Sequence, residues 1–338
     1  MQSTRILRRF GIVAALLLSS AGVRAEPGVH WEHSSPAASA RLQQVLDAYR
    51  AERHPTAVTI VIGDKIVAEA GDVSRAINLH SARKSLLSTL YGWAVAEGRI
   101  KLDATLDELA IDDKPPELTA DEKQAMVRDL LMARSGVYHQ AAYETGEMKK
   151  TRPERGSHPH GAFWFYNNWD FNALGAIYRK GTGEDIFASF DKRIARPIGM
   201  ETFSVAACRY VTEPVSRYPA YVFAMSAHDM ARFGLLIEQH GRWGDWQIVS
   251  SAWLDEATKA YSSTGRGGEG YGYLWWVLPA ADWGEGAILA SGSGGQYIAI
   301  VPDMHLIATE TVDVDHGAKR IHSRQFLAFL KQMVAEIR

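Results

Sequence analysis

Ser81 and Lys84 form the most informative pattern in the sequence, because they lie three residues apart in the segment Ser81-Ala82-Arg83-Lys84. If this segment is helical, residues at this spacing share a face, so the Lys84 amine can reach the Ser81 hydroxyl. Serine needs a neighbouring base to become a nucleophile, and a desolvated lysine can act as one. The run over residues 85–96 is apolar nearly all round, which is typical of a buried helix. Burial would disfavour the charged form of Lys84 and free its lone pair.

The same spacing occurs again at Ser189 and Lys192, so the pattern alone does not decide which pair carries chemistry. A tyrosine motif separates the two matches. Only one tyrosine is followed by asparagine at the second position, in Tyr166-Asn167-Asn168. The Ser81 pair precedes this motif, and the Ser189 pair follows it. In serine hydrolases that combine these two motifs, the serine and lysine come before the tyrosine. We therefore interpret Ser189 and Lys192 as ordinary helix surface.

With both motifs in this order, the chain resembles the serine β-lactamase and penicillin-binding-protein superfamily, in the branch of class C β-lactamases and D,D-peptidases. Four more segments are similar to that family: residues 130–137, 197–200, 223–234 and 271–276. The resemblance extends from about residue 56 to the C-terminus. It implies an α/β (α+β) fold of the β-lactamase/transpeptidase type, with an antiparallel β-sheet flanked by helices and an inserted all-helical subdomain. The site would lie in the cleft between the two parts.

The resemblance also implies roles for the motif residues. Ser81 would attack a carbonyl while Lys84 and Tyr166 carry its proton, and Asn168 would hold Lys84 and the substrate in place. We expect an exported serine hydrolase that forms an acyl-enzyme on Ser81 and cleaves a small ester or amide. The alternatives are a β-lactamase or D,D-carboxypeptidase that acts on β-lactams or peptidoglycan stem peptides, and, in a different class, a catalytically silent relative that binds cell-wall peptides.

The third motif of the family departs from its usual sequence, which is a basic residue, then serine or threonine, then glycine. The matching stretch here is Ser291-Gly292-Ser293-Gly294-Gly295-Gln296. The preferred register places Gly292 at the basic position and completes the triplet with Ser293 and Gly294, and the register one residue later places Ser293 there. In the first register Gly295 would offer its N–H, together with that of Ser81, to the developing oxyanion. The alternative is a glycine-rich hairpin without a role in the site.

Neither register supplies the positive charge that commonly recognises the carboxylate of β-lactams. We therefore expect a preference for neutral esters or amides, with Arg266 as the residue that could supply the charge from a nearby loop.

Composition agrees with an exported globular enzyme. The 338 residues are 46% hydrophobic and carry a net charge of −2, which gives no reason to expect nucleic acid or an anionic membrane as partner. Arg5, Arg8 and Arg9 precede an apolar run over residues 10–18 and an A-x-A-like site at 23–25, as in a secretory signal peptide. We expect residues 1–25 to be that signal and residues 26–338 to form a single catalytic domain with its helical subdomain at roughly 99–220. The product would be periplasmic or secreted, without a stable membrane anchor, and an uncleaved N-terminal anchor is the alternative.

Periodicity predicts the elements that would position the site. An amphipathic helix is predicted over 39–53, a hairpin over 56–62 and 65–70, and a buried helix from Ser81 to near Gly98. Two helices (227–240 and 250–261), four strands (271–278, 287–291, 296–301 and 306–312) and a closing helix (321–337) should follow. Strands from both ends of the chain with helices between them favour an antiparallel sheet covered by helices.

Other motifs carry no chemistry. The glycine-rich loop at 265–270 follows a helix and precedes a strand, the reverse of a dinucleotide-binding site. His158-Pro159-His160 has no accompanying metal-ligand motif. No G-x-S-x-G elbow is present, and the lone Cys208 excludes an internal disulfide. We expect no metal and no organic cofactor.

Overall fold

The computed structural model describes residues 31–337, so the predicted signal peptide lies outside the described residues. No helix within 31–337 is long and apolar enough to cross a membrane. The largest element is a nine-stranded sheet in the order β1-β3-β2-β15-β14-β13-β12-β11-β10. Its strands are β1 (Glu32–His33), β2 (Ala57–Ile62), β3 (Lys65–Gly71), β10 (Ser262–Ser263), β11 (Gly270–Tyr271), β12 (Trp276–Val277), β13 (Ile288–Gly292), β14 (Gln296–Val301) and β15 (Leu306–Thr311).

The centre of the sheet joins the two ends of the chain. Strand β2 pairs antiparallel with β15, and β15 pairs antiparallel with β14. Every residue of β14 and β15 is buried, so the sheet is covered on both faces. The helix order is α1 (Pro36–Arg53), α2 (Arg83–Ala96), α3 (Val127–Leu131), α4 (Gly146–Thr151), α5 (Asn168–Thr182), α6 (Ile186–Phe190), α7 (Ala227–Glu238), α8 (Ser251–Ala257), α9 (Ala280–Trp283) and α10 (Ser323–Ile337).

Helices cover each face of the sheet by close packing. Helix α1 packs on β3 and on α10, where the rings of Tyr49 and Phe329 stack with centroids 4.1 Å apart. Helix α7 packs on β2, β14 and β15. A Cβ at Gly234 of α7 would lie only 2.5 Å from the Ile307 side chain, so glycine lets this helix approach the sheet. The predicted fold class, an antiparallel sheet flanked by helices, is confirmed, although the short edge strand β1 pairs parallel with β3.

The segment between α2 and α7 is helical and rich in loops, as predicted. Helix α2 packs against α5, α6 and α8, and also against β13 of the sheet. This helix therefore forms the boundary between the helical part and the sheet. The short hairpin of β5 (Arg209–Val211) and β6 (Ala220–Val222) was not predicted. The remaining short strands are β4 (Ile77–Asn78), β7 (Ala224–Met225), β8 (Arg242–Trp243) and β9 (Trp246–Gln247).

The strand predicted over 271–278 is wrong in its middle. It is divided into β11 and β12, which pair with each other, because the chain turns between them and Leu274 adopts a φ of +65°. The Leu274 N–H donates to the Leu131 carbonyl, 3.1 Å away in the helical part. Helix α8 also ends earlier than predicted, at Ala257.

Candidate active site

Ser81 lies in a 3₁₀ turn (His80–Ala82) that leads directly into α2, so it precedes the predicted buried helix and is not part of it. The turn begins from an unusual backbone conformation, because His80 has a φ of +46°. The side-chain oxygen of Asn78 accepts the His80 N–H at 3.0 Å. A non-glycine residue pays for positive φ, and surrounding contacts must hold it there.

Lys84 reaches Ser81 as the spacing predicts. Its Nζ lies 2.9 Å from Ser81 Oγ and 2.7 Å from the Tyr166 hydroxyl. Lys84 is only 1% exposed, and its Nζ lies 4.4 Å from the ring centroids of both Tyr166 and Phe171. No carboxylate in the described part of the chain pairs with it. Burial, and secondarily the adjacent Arg83, hold the pKa of Lys84 well below its usual value. A neutral lysine amine in contact with a serine hydroxyl can accept its proton.

Tyr166 stands just before α5, whose N-cap Asn167 accepts the Asp170 N–H at 2.9 Å. The phenol ring packs on Trp276, with centroids 5.4 Å apart, and on Phe171 at 4.8 Å. Burial raises the pKa of Tyr166, opposed by a hydrogen bond with Ser81 and by the positive charges of Arg83 and Arg266. Tyr166 is therefore a hydroxyl that can pass a proton between Lys84 and the cleft.

Asn168 does not make the contact predicted for it. Its Nδ2 donates to the Tyr143 carbonyl at 2.5 Å, and its buried Oδ1 has no hydrogen-bond partner within residues 31–337. Asn168 is the first residue of α5, and its side chain is directed to the loop that carries Tyr143. The prediction that Asn168 holds Lys84 is therefore corrected, because it holds a loop beside the site.

The third motif lies beside Ser81. Strand β13 ends at Gly292, and β14 begins at Gln296 after a turn. A Cβ at Gly292 would overlap the Leu79 carbonyl oxygen and lie 3.1 Å from the Ala82 nitrogen, so glycine is required for the strand to approach the Ser81 turn. A basic side chain has no room at this position.

The cavity that contains Ser81 has a volume of about 460 Å³ and is lined by Gly292, Ser293 and Gly294. Gly295 is outside this lining, and its N–H donates to the Gly292 carbonyl, 3.5 Å away within the turn. The prediction that Gly295 faces the oxyanion is therefore corrected. Ser293, the first residue after β13, is the candidate for the second N–H donor.

Aromatic and basic side chains form the walls of the same cavity. Phe163, Trp164 and Trp276 line it together with Arg266 and Arg320. The Arg266 guanidinium lies over the Trp276 ring, 5.0 Å from its centroid. Arg320 was missed from the sequence, because nothing near residue 320 marks that it reaches this cavity.

The second serine–lysine pair has a different environment. Ser189 is buried and donates to Glu184 Oε2 at 2.5 Å, and Lys192 is exposed at 4.0 Å from the same carboxylate. The prediction of an ordinary helix surface is correct for Lys192 and wrong for Ser189. Elsewhere, no group of three or more His, Cys, Asp or Glu in the described ranges is arranged to hold a metal.

Comparison with known proteins places the chain in a family. The Beta-lactamase family model matches residues 42–328, and the chain belongs to this family. No curated protein matches the sequence significantly.

Solved structures share the fold at low identity. A penicillin-binding protein homologue from Pyrococcus abyssi, described as octameric, is 21% identical with a TM-score of 0.62, over 80% of this chain and 72% of that one. A D-stereospecific amidohydrolase from Streptomyces is 17% identical with a TM-score of 0.61, over 86% and 97%. A class C β-lactamase is 14% identical with a TM-score of 0.66, over 91% and 99%. At these identities the likeness shows the fold alone, whereas the family match supports a serine hydrolase in general.

Proposed function

We propose that the protein is an exported serine hydrolase that cleaves a small ester or amide through an acyl-enzyme on Ser81. The observation that carries this proposal is the position of the Lys84 amine, which is buried and within hydrogen-bond distance of both Ser81 Oγ and the Tyr166 hydroxyl. Burying a lysine amine without a carboxylate partner is unfavourable, and a catalytically silent binding protein would gain nothing from it.

The geometry supports a two-step reaction. In the first step Ser81 Oγ attacks the substrate carbonyl and its proton passes to the neutral Lys84 amine. The N–H groups of Ser81 and Ser293 stabilise the oxyanion. Tyr166 gives a proton to the leaving alcohol or amine and is reprotonated by Lys84. In the second step a water molecule attacks the acyl carbonyl and gives its proton to the same two side chains. The bond between the acyl carbon and Ser81 Oγ breaks, and that proton returns to Oγ to restore the serine hydroxyl.

Two features of the cavity favour an ester or amide as substrate. Gly292 provides no charge at the position where relatives commonly bind a carboxylate. The walls near Ser81 carry Phe163, Trp164 and Trp276, which suit an uncharged acyl or leaving group. The Streptomyces amidohydrolase that shares the fold is compatible with this choice.

A β-lactamase or D,D-carboxypeptidase activity is the second candidate. Arg266 and Arg320 line the cavity, and neither forms an ion pair in the described part of the chain. These two guanidinium groups could bind the carboxylate of a β-lactam or a stem peptide from positions other than the third motif. The class C β-lactamase and the penicillin-binding protein homologue share the fold with this chain.

Stopped-flow hydrolysis of p-nitrophenyl butyrate by the mature protein, residues 26–338, tests the proposal. An acyl-enzyme mechanism predicts a burst of p-nitrophenol close to one equivalent when deacylation is the slower step, followed by steady turnover. Nitrocefin and a fluorescent penicillin measured in parallel distinguish the second candidate. Failure to turn over esters, amides and β-lactams alike would contradict the proposal and favour the silent binding protein.

A further inference from the structure

Arg83 is a buried cation that pairs with no carboxylate in the described part of the chain. Its side chain is fully buried, and Nη1 donates to the His80 carbonyl at 2.8 Å. Within residues 31–337, Nε and Nη2 have no hydrogen-bond partner and no carboxylate pairs with the guanidinium. The group is instead held between two aromatic rings, 5.3 Å from the Tyr143 centroid and 5.2 Å from the Tyr221 centroid.

The other large buried arginine shows how unusual this is. Arg232 of α7 is 1% exposed, lies over the Trp31 ring and forms an ion pair with Glu201 at 2.6 Å. Burying a charge without a carboxylate partner is costly, and the two cation–π contacts offset only part of that cost. Stability therefore does not explain a guanidinium at position 83, and its surroundings point to a role in the adjacent site.

Arg83 stands between the two residues that would carry the reaction. It directly precedes Lys84, and it binds the carbonyl of His80, the residue with positive φ before Ser81. Its ring partner Tyr143 also accepts a hydrogen bond from Asn168 through its carbonyl. The guanidinium thus connects the Ser81 turn to the loop around Tyr143 and to Tyr221 of β6.

We propose that Arg83 is a positioning residue for the hydrolase reaction, acting on Ser81 through the His80 carbonyl and on Lys84 through its positive charge. This inference rests on the proposed function. The positive charge of Arg83 lowers the pKa of both proton carriers. At Lys84 it adds to burial, which is the larger cause, and at Tyr166 it opposes the burial that raises the pKa. A positive charge beside Lys84 favours the neutral amine that accepts the Ser81 proton.

Several other groups lie around Arg83 and Lys84. Lys84 faces the Ser81 hydroxyl, the Tyr166 phenol and the Phe171 ring. Arg83 contacts His80, Tyr143 and Tyr221. Its charge also acts on Tyr166. His80 in turn lies 3.4 Å from Asp315. Burial is the main cause that lowers the pKa of His80; Asp315 opposes it, and the positive charges of Arg83, Arg320 and Arg209 add to it. His80 is therefore the group that a pH experiment must separate from Lys84.

The test is the pH dependence of kcat/KM for p-nitrophenyl butyrate. Arg83→Met and Arg83→Gln remove the charge, and the glutamine amide can still donate to the His80 carbonyl. In both variants the acidic limb, where Lys84 becomes protonated, should move to higher pH by about one unit, which is a loss of about tenfold on that limb. The loss should shrink at high pH. Arg83→Lys, which keeps a positive charge, should move the limb less than either neutral variant.

Arg232→Met is the matched control, because it removes an equally buried arginine that has its own carboxylate and is not in the site. It should lower the thermal melting temperature and leave the limb in place. His80→Asn, which suits positive φ, should also leave the limb in place. An equal loss at every pH in the methionine and glutamine variants, or a limb that moves with His80→Asn, would overturn the inference.

Labelling with a fluorophosphonate keeps this inference separate from the proposed function. If wild-type Ser81 is not labelled, the proposed function fails and the inference with it. If Ser81 is labelled and the limb does not respond to removal of the Arg83 charge, the inference alone fails. The glutamine variant keeps the test valid if the methionine variant does not fold.

Discussion

The two serine–lysine pairs have the same spacing, yet their lysines occupy opposite environments. Lys84 is 1% exposed, touches no carboxylate in the described ranges and lies against two aromatic rings. The Lys192 side chain is 72% exposed and has Glu184 nearby. Water and a carboxylate stabilise an ammonium ion, whereas burial among rings with a neighbouring guanidinium favours a neutral amine. Of the two lysines, only Lys84 is in an environment that lets it act as a base.

The elements around each pair explain the difference. The first pair precedes and begins α2, a helix enclosed by β13 of the sheet and by α5 and α8. The second pair lies at the end of α6, where the chain continues as a π-helical turn (Asp191–Ala195). There Ser189 is used to bind Glu184, which also pairs with Arg193. Position in the fold, and not the local motif, separates a candidate nucleophile from a structural serine.

Removing each serine in turn should give the largest difference between the two pairs. Ser81→Ala should lower kcat/KM for p-nitrophenyl butyrate by on the order of 10⁴-fold or more, because the nucleophile is lost. Ser189→Ala should stay within about twofold of the wild-type rate, since Ser189 is buried against Glu184 outside the cavity of Ser81 and its loss affects stability and not chemistry. Steady-state kinetics with the two purified variants decides this. Wild-type activity in Ser81→Ala would show that Ser81 is not the nucleophile.

Removing the lysines gives the next largest effect. Lys84→Ala and Tyr166→Phe should each lose about 10²–10⁴-fold, the usual contribution of a positioned proton carrier. The double variant should be little worse than either single one, because residues that act as a unit are not additive. Lys192→Ala is the control and should have no effect. Losses that multiply in the double variant would contradict a shared proton path.

The charges around the first pair give a smaller effect. Wild-type enzyme should prefer p-nitrophenyl butyrate to nitrocefin, because Gly292 carries no charge. Any nitrocefin activity that remains should fall on the order of 10–150-fold in Arg266→Ala, the range for losing a charge-assisted hydrogen bond of about 1.5–3 kcal/mol. Arg324→Ala is the control, because Arg324 lines a neighbouring cavity and not the one with Ser81.

Efficient nitrocefin hydrolysis by the wild type would reject the preference for neutral substrates. Placing a basic residue at position 292 is not a clean converse experiment, because a side chain there would overlap the Leu79 carbonyl. Arg320→Ala removes the second arginine of the cavity and shows whether the two arginines act together.

The smallest effect is on stability. Ser189→Ala removes a buried hydrogen bond to Glu184 and should cost about 1–2 kcal/mol of unfolding free energy. Ser81→Ala should cost less, because its hydroxyl lies in an open cleft. Urea denaturation of the two variants compares them on one scale. A larger loss for Ser81→Ala would mean that Ser81 has a structural role as well.

The parts of the molecule that depend on local pattern could be predicted from the sequence. Strand β14 has the predicted bounds because a buried apolar run lies between glycines and a proline. The contact of Lys84 with Ser81 follows from their spacing. The bend at Leu274 could not be predicted, because a non-glycine residue with positive φ carries no local signal and is held by contacts from Leu131.

Contacts between distant segments were the main source of error at the site. The position of Asn168 in the motif predicts a contact with Lys84, whereas its side chain donates to the Tyr143 carbonyl. The environment of Arg83 depends on Tyr143 and Tyr221, which come from separate segments of the helical part. Its place beside Lys84 in the tetrapeptide was the only sequence signal, and it does not show that the residue is buried.

The site of covalent labelling tests most directly whether Ser81 is the nucleophile. The purified protein is treated with a fluorophosphonate, digested and mapped by tandem mass spectrometry, together with Ser81→Ala and Ser189→Ala. We expect one label per molecule on the peptide that contains Ser81, retained in Ser189→Ala and absent from Ser81→Ala. A label on Ser189, or ester turnover by Ser81→Ala without any label, would contradict it.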